Sequence, residues 1–486
     1  MTKKNFLFLP GIFAGFFLLL PDQASAQCAI DSATRIVSQT EHWNADRSIR
    51  GNIEIDSNAA LHVYGTLSFR EDAYIDVKRG GRLYLHAGAR LTHECADKMW
   101  DGVILNGTSA RPQYSSGSYD AGQAVFLMDT AVIEYAQLGI KVQDGAVLKA
   151  YSDTFSNCRT GVEFTLYEST VFPATNQGRF ENCDFLSTAT LPGYNAEGID
   201  VFVKLTGVRG ISFFGCVFEN RIVTQLDNAE SCGKGIESRD ASFTLERSGP
   251  YGFSELCVTQ QALGRRSQFT GLYRAVEHNA IDPKYSVSIS ECRFINSVET
   301  SIYLVGEYGT EIKRCFFSYD IDYLKPISFT LWLNCILLAS SKSFNIDSNY
   351  FQINSLDTLG YVKMIESHYS GRSGGRIYGN KFSKSFLDTL LVEPIIIDGN
   401  SPKILLQCNT FDGFNQDIRV NNNPPYIFQD QGSPTLDAGN VFSTCGMGSV
   451  LKAEIPRIHI FLNFLPMVQN CMFMTNIPGF YSMTCR

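Results

Sequence analysis

Three groups of side chains in this sequence could take part in acid–base chemistry. Asp320 and Asp322 alternate along one predicted strand, so both carboxylates would share a face, as the carboxylate pair of a glycosidase must. The stretch from Arg372 to Arg376 carries two guanidinium groups around Ser-Gly-Gly, and a lyase needs a basic side chain to remove a proton. Glu277 and His278 are a third candidate, an adjacent carboxylate and imidazole.

A structural interpretation competes with each of these groups, and we favour it in all three cases. Acidic residues on strands are usually solvated, which is the role we expect for Asp320 and Asp322. Residues 372–376 are typical of a glycine-rich turn between structural repeats. His278 follows Ala275-Val276 and is expected at a surface turn. We therefore assign no catalytic residue.

The sequence also predicts no metal site and no cofactor. The seven histidines are scattered along the chain, and no Cys-x-x-Cys pair occurs among the 14 cysteines. Calcium-binding nonapeptide repeats are absent as well. A zinc, haem or calcium site therefore has no support.

The N-terminus has the parts of an export signal. Two lysines precede the apolar residues 6–20, and the small residues Ala24-Ser25-Ala26 follow. We predict a cleaved signal peptide and a secreted or cell-surface location. The apolar stretch is short for a bilayer, and no second one follows, so we expect no integral membrane span after cleavage. Cys28 would suit a lipoprotein, but Gln27 stands where a small residue is needed.

The charge of the chain argues against one class of partner. The formal net charge is −8, and lysine and arginine never gather into a patch. Because phosphate contacts require a basic face, we expect no nucleic-acid partner.

A four-residue phrase recurs along most of the chain with a period of about thirty residues. It consists of a small or polar residue, then Asn or Cys, then a variable residue, then Phe. The phenylalanines of this phrase are Phe185, Phe218, Phe294, Phe317, Phe351, Phe382, Phe411 and Phe442. Short alternating runs between the phrases, such as Ser286 to Ser290, are typical of half-buried strands.

A unit with two or three short strands cannot bury its apolar face alone, but stacking successive units does so. The sequence therefore predicts an all-β fold, a right-handed parallel β-helix of roughly fifteen coils. In this fold, Phe stacks on Phe about 4.8 Å away in the next coil. Asn or Cys forms a second ladder at a turn, where an amide can hydrogen-bond its counterpart one coil away.

The second ladder gives some cysteines a structural role. Cys183, Cys216, Cys292 and Cys315 occupy the position that Asn349 and later asparagines fill, which favours buried thiols there over disulfides. Disulfides remain the alternative, since exported chains often form them. Several cysteines outside the phrase could also pair: Cys28, Cys95, Cys232, Cys257, Cys335, Cys445, Cys471 and Cys485.

The repeat also sets the predicted domain boundaries. Residues 51–105 carry a tighter version of it, so the N-terminal coils are expected to be shorter. In the long gap between Phe218 and Phe294, residues 247–261 are predicted to leave the coil. They form either an inert lengthened turn, which we favour, or part of a binding surface. The predicted divisions are a signal peptide (1–26), an N-terminal cap (27–50), the β-helix (51–445) and a C-terminal tail without the repeat (446–486).

Several motifs resemble those of a known family. The Gly80-Gly81 turn, Trp100-Asp101-Gly102-Val103 with the following Asn106-Gly107, and the later phrases resemble secreted right-handed parallel β-helix repeat proteins of Gram-negative bacteria, with the pectate-lyase-like fold. The resemblance covers about residues 45–445 and is specific for fold rather than activity. Many such proteins end in a sorting domain for type IX secretion. Residues 446–486 depart from that pattern, and a helical cap or a truncated end is expected there.

The resemblance implies an exported protein of one of two functional classes. Polysaccharide enzymes share this fold, but the Asn-Thr-Asp, Gly-Asp-Asp and Gly-His-Gly signatures of polygalacturonases are absent, and fold does not confer function. We favour a non-enzymatic adhesive, glycan-contacting or structural surface protein, whose partner would be a polysaccharide or a cell-surface glycan. The alternative is a polysaccharide lyase or glycoside hydrolase. A trimer like a phage tailspike is disfavoured because an export signal has no use there.

Overall fold

The computed structural model describes most of the chain after residue 32. The described residues are 33–115, 117–167, 175–194, 197–226, 228–249, 264–320, 332–354, 361–384, 391–399, 404–414, 418–421, 441–443, 452–454, 471–477 and 480–485. The predicted signal peptide (1–26) therefore lies outside them. Among the described residues, no helix is long and apolar enough to cross a membrane.

The described residues form three long sheets that wind around one core, which we call sheets A, B and C. The 17 strands of sheet A are Arg35–Val37, Ile53–Ile55, Tyr74–Val77, Trp100–Asn106, Ala136–Gln143, Thr160–Phe164, Val201–Thr206, Lys234–Arg239, Arg274–Asn279, Thr300–Val305, Trp332–Ala339, Tyr361–His368, Leu391–Asp398, Ile418–Asn421, Lys452–Glu454, Cys471–Ile477 and Phe480–Cys485.

Sheets B and C contribute one strand each to most coils. The 13 strands of sheet B are Glu41–Trp43, Ala60–Val63, Arg82–Leu85, Val125–Asp129, Val147–Tyr151, Arg179–Glu181, Arg209–Phe214, Ser242–Glu246, Val287–Ser290, Thr310–Lys313, Ser343–Asp347, Gly374–Tyr378 and Ile404–Gln407. The 14 strands of sheet C are Arg47–Ile49, Thr66–Phe69, Arg90–His93, Val132–Glu134, Thr154–Ser156, Asp184–Ser187, Val217–Asn220, Gln268–Thr270, Arg293–Ile295, Phe316–Asp320, Tyr350–Asn354, Lys381–Lys384, Thr410–Asp412 and Val441–Ser443.

The chain passes from sheet A to B to C and then rises to the next coil of sheet A, so each strand pairs in parallel with its equivalent one coil away. This confirms the predicted right-handed parallel β-helix. Short elements interrupt the pattern at two places. They are an antiparallel hairpin of Tyr114–Ser115 and Ser118–Tyr119, and 3₁₀ turns at Val223–Gln225 and Glu230–Cys232.

The ends of the solenoid differ in detail from expectation. The first coil begins at Arg35, which pairs with Ile53, so the predicted cap region 27–50 already contains strands of the helix. In the tail, Cys471–Ile477 and Phe480–Cys485 form an antiparallel pair that joins sheet A beside Lys452–Glu454. The expectation of a helical cap was therefore wrong for the described part of the tail, which is composed of strands.

The predicted phenylalanine ladder is present in sheet C. Each ring stacks on its equivalent in the next coil, with centroids 4.5–5.1 Å apart and ring planes within 10° of parallel. Phe155 and Phe269 lie in the same stack, although the phrase did not include them. At its upper end, Phe411 pairs in register with Phe442. Offset stacking of aromatic rings stabilises the core beyond the area that they bury.

The Asn ladder also forms, and its hydrogen bonds explain the repeat. The Oδ1 atom of Asn380 accepts the backbone N–H of Asn349 at 2.9 Å, and its Nδ2 atom donates to the carbonyl of Ile346 at 2.9 Å. In the same way, Asn409 Oδ1 accepts the backbone N–H of Asn380 at 3.1 Å, and Asn349 Oδ1 accepts that of Cys315 at 2.8 Å. Each asparagine thus satisfies backbone groups of the coil before it, in a site that excludes water.

Cysteine makes half of the same contacts. The thiol of Cys183 donates to the carbonyl of Ala150 at 3.4 Å, and that of Cys315 to the carbonyl of Ile289 at 3.7 Å. The four ladder cysteines are buried free thiols, as predicted. Burial raises the pKa of the Cys183 thiol, which keeps it protonated. Cys232 and Cys335 are buried free thiols too, whereas Cys95 is in a disulfide.

Candidate functional site

The structure does not bring the predicted carboxylate pair together. Asp320 is the exposed last residue of its strand in sheet C, and its backbone N–H donates to Asn296 Oδ1 at 2.7 Å. Asp322 lies outside the described residues. Most of the predicted loop 247–261 also lies outside them, although Arg247 Nε is 3.4 Å from Glu291 Oε2.

The basic stretch 372–376 is half turn and half strand. Arg372 is exposed in the turn after Gly371, as the structural interpretation predicted. Gly374 begins a strand of sheet B, and Arg376 points outward from it with its guanidinium 4.0 Å from the ring centroid of Tyr378. The two arginines therefore belong to different elements.

The expectation that His278 lies at a surface turn was wrong. His278 is fully buried on an inward position of sheet A, while Glu277 points outward and binds Lys234 and Arg274. The Nε2 atom of His278 is 2.5 Å from Glu307 Oε1, and Glu307 is also fully buried. Alternation along the strand separates the adjacent acid and imidazole to opposite faces.

Burial lowers the pKa of His278 to about 4, so the ring is neutral at physiological pH. Its Nδ1 atom is 2.8 Å from Ser238 Oγ, and Thr310 Oγ1 donates to Glu307 Oε2 at 2.8 Å. Because solvent does not reach this cluster, we interpret it as a polar network inside the core and not as a reactive site.

The most distinctive outer surface is a group of stacked rings on sheet B that the sequence analysis missed. We call His42, His62, Tyr64, Tyr84 and His86 the ring platform. Their strands alternate, so these five rings face outward above a core of buried aliphatic residues. Equivalent residues of successive coils stack on each other, which gives two adjacent columns of rings.

The two columns are closely packed. In the first, His62 lies between His42 and Tyr84, with ring centroids 4.5 Å and 4.4 Å away. In the second, the centroids of Tyr64 and His86 are 4.1 Å apart with planes 3° from parallel. A contact of 3.0 Å between His62 Nδ1 and His86 Nε2 joins the columns. Tyr64 is 40% exposed to solvent.

A second group of rings continues the surface. The hairpin Tyr114–Ser115 and Ser118–Tyr119, which we call the tyrosine hairpin, leaves the coil between sheets A and B. The rings of Tyr114 and Tyr119 are 4.6 Å apart, and Lys149 Nζ lies 5.4 Å and 5.6 Å from their centroids. Burial and a hydrogen bond with Tyr114 raise the pKa of Tyr119. Lys149 lies two coils from Tyr84 in the same column of sheet B, so the hairpin lies close to the platform.

Buried hydrogen bonds hold the tyrosine hairpin in place. The side chain of Gln113, which is 3% exposed, donates to the carbonyls of Gly145 and Ala146 at 2.8 and 3.0 Å. Its Oε1 atom accepts the backbone N–H of Gln177 at 2.6 Å. At the base of the excursion, the side chain of Gln123 donates to the carbonyl of Thr108 at 3.0 Å. These contacts fix the hairpin before any ligand arrives.

A separate cluster of charges lies on the outer face of sheet A. We call Lys363, Glu366, His368 and Asp398 the acid–base cluster. Glu366 Oε1 is 2.5 Å from Lys363 Nζ and 2.8 Å from His368 Nε2, while Asp398 Oδ2 is 3.7 Å from His368 Nδ1. The side chain of Glu366 is only 6% exposed, whereas His368 is about one-third exposed.

The two central groups of the acid–base cluster shift each other's pKa. The hydrogen bond to Glu366 raises the pKa of His368, against the effect of partial burial. For Glu366, burial opposes ionisation, but the hydrogen bonds from His368 and Lys363 outweigh it and lower its pKa. An imidazolium held between two carboxylates could deliver a proton to a bound molecule.

Coil spacing is the signal that would have revealed the ring platform. His42 and His62 are one short N-terminal coil apart, as are His62 and Tyr84, and Tyr64 and His86 are related in the same way. His368 and Asp398 are likewise one coil apart, in register. Within the part of the chain that the structure describes, no group of three or more His, Cys, Asp and Glu side chains could hold a metal ion.

Comparison with known proteins adds no family to this description. No protein family matches the chain, and neither a curated protein nor a solved structure is significantly similar to it. The function must therefore be argued from the two outer surfaces.

Proposed function

We propose that the protein is an exported, non-enzymatic β-helix that binds a glycan through the ring platform. The observation that carries the proposal is the pair of stacked, solvent-facing ring columns formed by His42, His62, Tyr64, Tyr84 and His86. The export-signal pattern of residues 1–26 supports a location at the cell surface or outside the cell. An adhesive or structural role follows from that location.

The chemistry of the platform suits a glycan. Because the faces of the platform rings pack on one another, the groups left for a sugar are the ring edges with their phenol O–H and imidazole N–H groups, which can hydrogen-bond its hydroxyls. Tyrosine also supplies a large contact area at a low cost in conformational entropy. Coils repeat every 4.8 Å or so, close to the length of one hexose unit, so successive rings could meet successive sugars.

The platform is also rigid before binding. Its rings stand on strands whose inward neighbours, among them Leu61 and Leu83, are fully buried. The tyrosine hairpin beside it is fixed by Gln113. A surface that needs little reordering keeps more of its contact energy as affinity.

The proposal is tested by screening the secreted form on a glycan panel and measuring the dissociation constant of the tightest neutral glycan. Tyr84→Ala removes the last ring of the first column, on the side of the tyrosine hairpin, and we expect it to weaken binding about tenfold or more. Tyr378→Ala is the matched control, because Tyr378 also faces outward from sheet B but lies many coils away. We expect it to change the dissociation constant less than about twofold.

Two results would refute the proposed function. One is that no glycan of a broad neutral and acidic panel binds the wild-type protein. The other is that Tyr84→Ala binds as tightly as the wild type, which would place the contact elsewhere on the solenoid.

The acid–base cluster favours a second candidate, a polysaccharide lyase or hydrolase. His368 is a positioned proton donor beside the buried carboxylate of Glu366, in the arrangement that general acid catalysis requires. Reducing-end and unsaturated-product assays over acidic and neutral glycans test this candidate. Robust turnover that falls about a hundredfold or more in His368→Gln would replace the non-enzymatic proposal. An absence of turnover over the panel would remove the second candidate.

A further inference from the structure

The ring platform contains three imidazoles in mutual contact. His62 stacks on His42 at 4.5 Å and meets His86 through its Nδ1 atom at 3.0 Å from Nε2. Histidine is the side chain whose charge changes most readily between pH 5 and 8. A surface that is uncharged at neutral pH can therefore become positive after mild acidification.

Proton counting sets the size of that change. In the neutral state, one N–H lies between His62 and His86, so one ring donates and the other accepts. One added proton can enter on an outer nitrogen without breaking this hydrogen bond. A second added proton on this pair would place two N–H donors opposite each other. Counting one proton for this pair and one for His42, the platform can gain about two positive charges before repulsion between the rings opposes further protonation.

Burial lowers the pKa of His62, and the neighbouring His42 and His86 lower it further. The neutral form of the His62 ring is therefore favoured.

The other charged groups around the platform leave room for an anion. On the strands that carry the platform, the carboxylate of Glu41 accepts hydrogen bonds from Arg35 and Trp43, and Arg82 is exposed. In the next coil, Met128 pairs with Leu85, so the following residue, Asp129, lies beside His86.

Two further charges complete the surroundings. Asp46, in the turn below the platform, accepts the backbone N–H of Thr66 at 2.7 Å. Lys149 lies in the same column as Tyr84, two coils further on. Asp46 and Asp129 thus oppose an acidic ligand, against the three imidazoles, Arg82 and Lys149.

We propose that the ring platform is a pH-dependent receptor for anionic glycans, which bind more tightly when imidazoles of the platform are protonated. This inference rests on the proposed function, because it assigns a ligand charge and a regulation to the same surface. The ring edges provide hydrogen bonds at every pH, and the imidazolium charges add ion pairs with carboxylate or sulfate groups only in acid.

Matched polymers that differ only in charge test the inference. The first pair is polygalacturonate and its fully methyl-esterified form, and the second is dextran sulfate and dextran. From pH 7.5 to pH 5.0, we expect the anionic member of at least one pair to bind about five- to tenfold more tightly, the size expected of about two exposed ion pairs. The neutral members should change less than about twofold. The pair that responds identifies carboxylate or sulfate as the anion.

Glutamine variants test whether the pH response arises from the imidazoles of the platform. His42→Gln with His86→Gln retains planar polar side chains but cannot be charged, so we expect it to lose the gain in acid, measured against its own affinity at pH 7.5. His93→Gln is the control, because His93 stacks on Tyr135 at 4.2 Å on sheet C, outside the platform. Circular dichroism of each variant checks folding, and His86→Gln alone should lose about half of the gain if the double variant is insoluble.

The outcomes separate the two proposals. If neutral and anionic polymers bind equally at both pH values and Tyr84→Ala abolishes this binding, the pH-dependent inference is overturned and the proposed function stands. A pH response that survives in the double glutamine variant also overturns the inference. If no polymer binds at either pH, both fail.

Discussion

Replacing Asn380 by alanine should destabilise the solenoid through the backbone of the coil before it. The side chain of Asn380 is 1% exposed and accepts the N–H of Asn349 while donating to the carbonyl of Ile346. Alanine leaves both backbone groups buried without these partners, and each such loss costs about 1–3 kcal/mol. We therefore expect the free energy of unfolding to fall by about 2–6 kcal/mol.

Asn380→Cys should recover part of that loss. A thiol in this position can donate to the Ile346 carbonyl, as the thiol of Cys315 does to Ile289 at 3.7 Å. It cannot replace the strong acceptor that the N–H of Asn349 requires, so we expect roughly half of the alanine effect. The predicted order of stability is wild type, then Cys, then Ala.

Urea titration followed by far-ultraviolet circular dichroism measures these differences. Because solenoids can unfold in parts, hydrogen exchange of the strands Ser343–Asp347 and Gly374–Tyr378 should accompany it. Lys381→Ala is the control, since Lys381 is the next residue and is exposed. If Asn380→Ala is within about 0.5 kcal/mol of this control, the ladder does not stabilise the fold as argued.

Three further predictions concern single residues. His278→Ala should lower the unfolding free energy by about 2–5 kcal/mol because it leaves a cavity in the core and removes the hydrogen bonds to Ser238 and Tyr285. Glu307→Gln, which keeps the volume, should cost clearly less, and urea titration of both variants checks this. The contact with Glu366 raises the pKa of His368, so this contact stabilises the fold fully below about pH 6.5 and loses its effect as pH rises through the folded pKa. The difference in urea midpoint between wild type and His368→Gln should therefore shrink from about pH 6 to about pH 9. Iodoacetamide should label Cys408, the exposed thiol, in the native protein, but label the four ladder thiols only in urea; native labelling of the ladder would contradict their burial.

The fold could be predicted because successive coils of a solenoid require the same residue types at regular intervals in the sequence. Phe351 and Phe382 stack because each occupies the same place in consecutive coils, and the spacing alone revealed this. The exchange of Asn349 for Cys315 was equally informative, since both side chains donate to equivalent carbonyls of the previous coil. Where a position repeats, stacking neighbours impose the same requirement many times.

The candidate site could not be predicted in the same way, because outward positions carry no common requirement. His62 and Tyr84 differ in type, so only the register of the short N-terminal coils shows that they stack. The tyrosine hairpin interrupts the repeat, and its position depends on the buried contacts of Gln113. The prediction that His278 lies at a surface turn was wrong because it rested on the polarity of histidine alone. Its burial depends on its contact with Glu307, which comes from the next coil.

A crystal structure of the protein with the tightest-binding oligosaccharide would test the central claim most directly. The account predicts sugar rings lying against Tyr84 and His62, with the chain of sugars running along the axis of the solenoid towards the tyrosine hairpin. Sugar bound instead beside Glu366 and His368 on sheet A, with the ring platform empty, would contradict it.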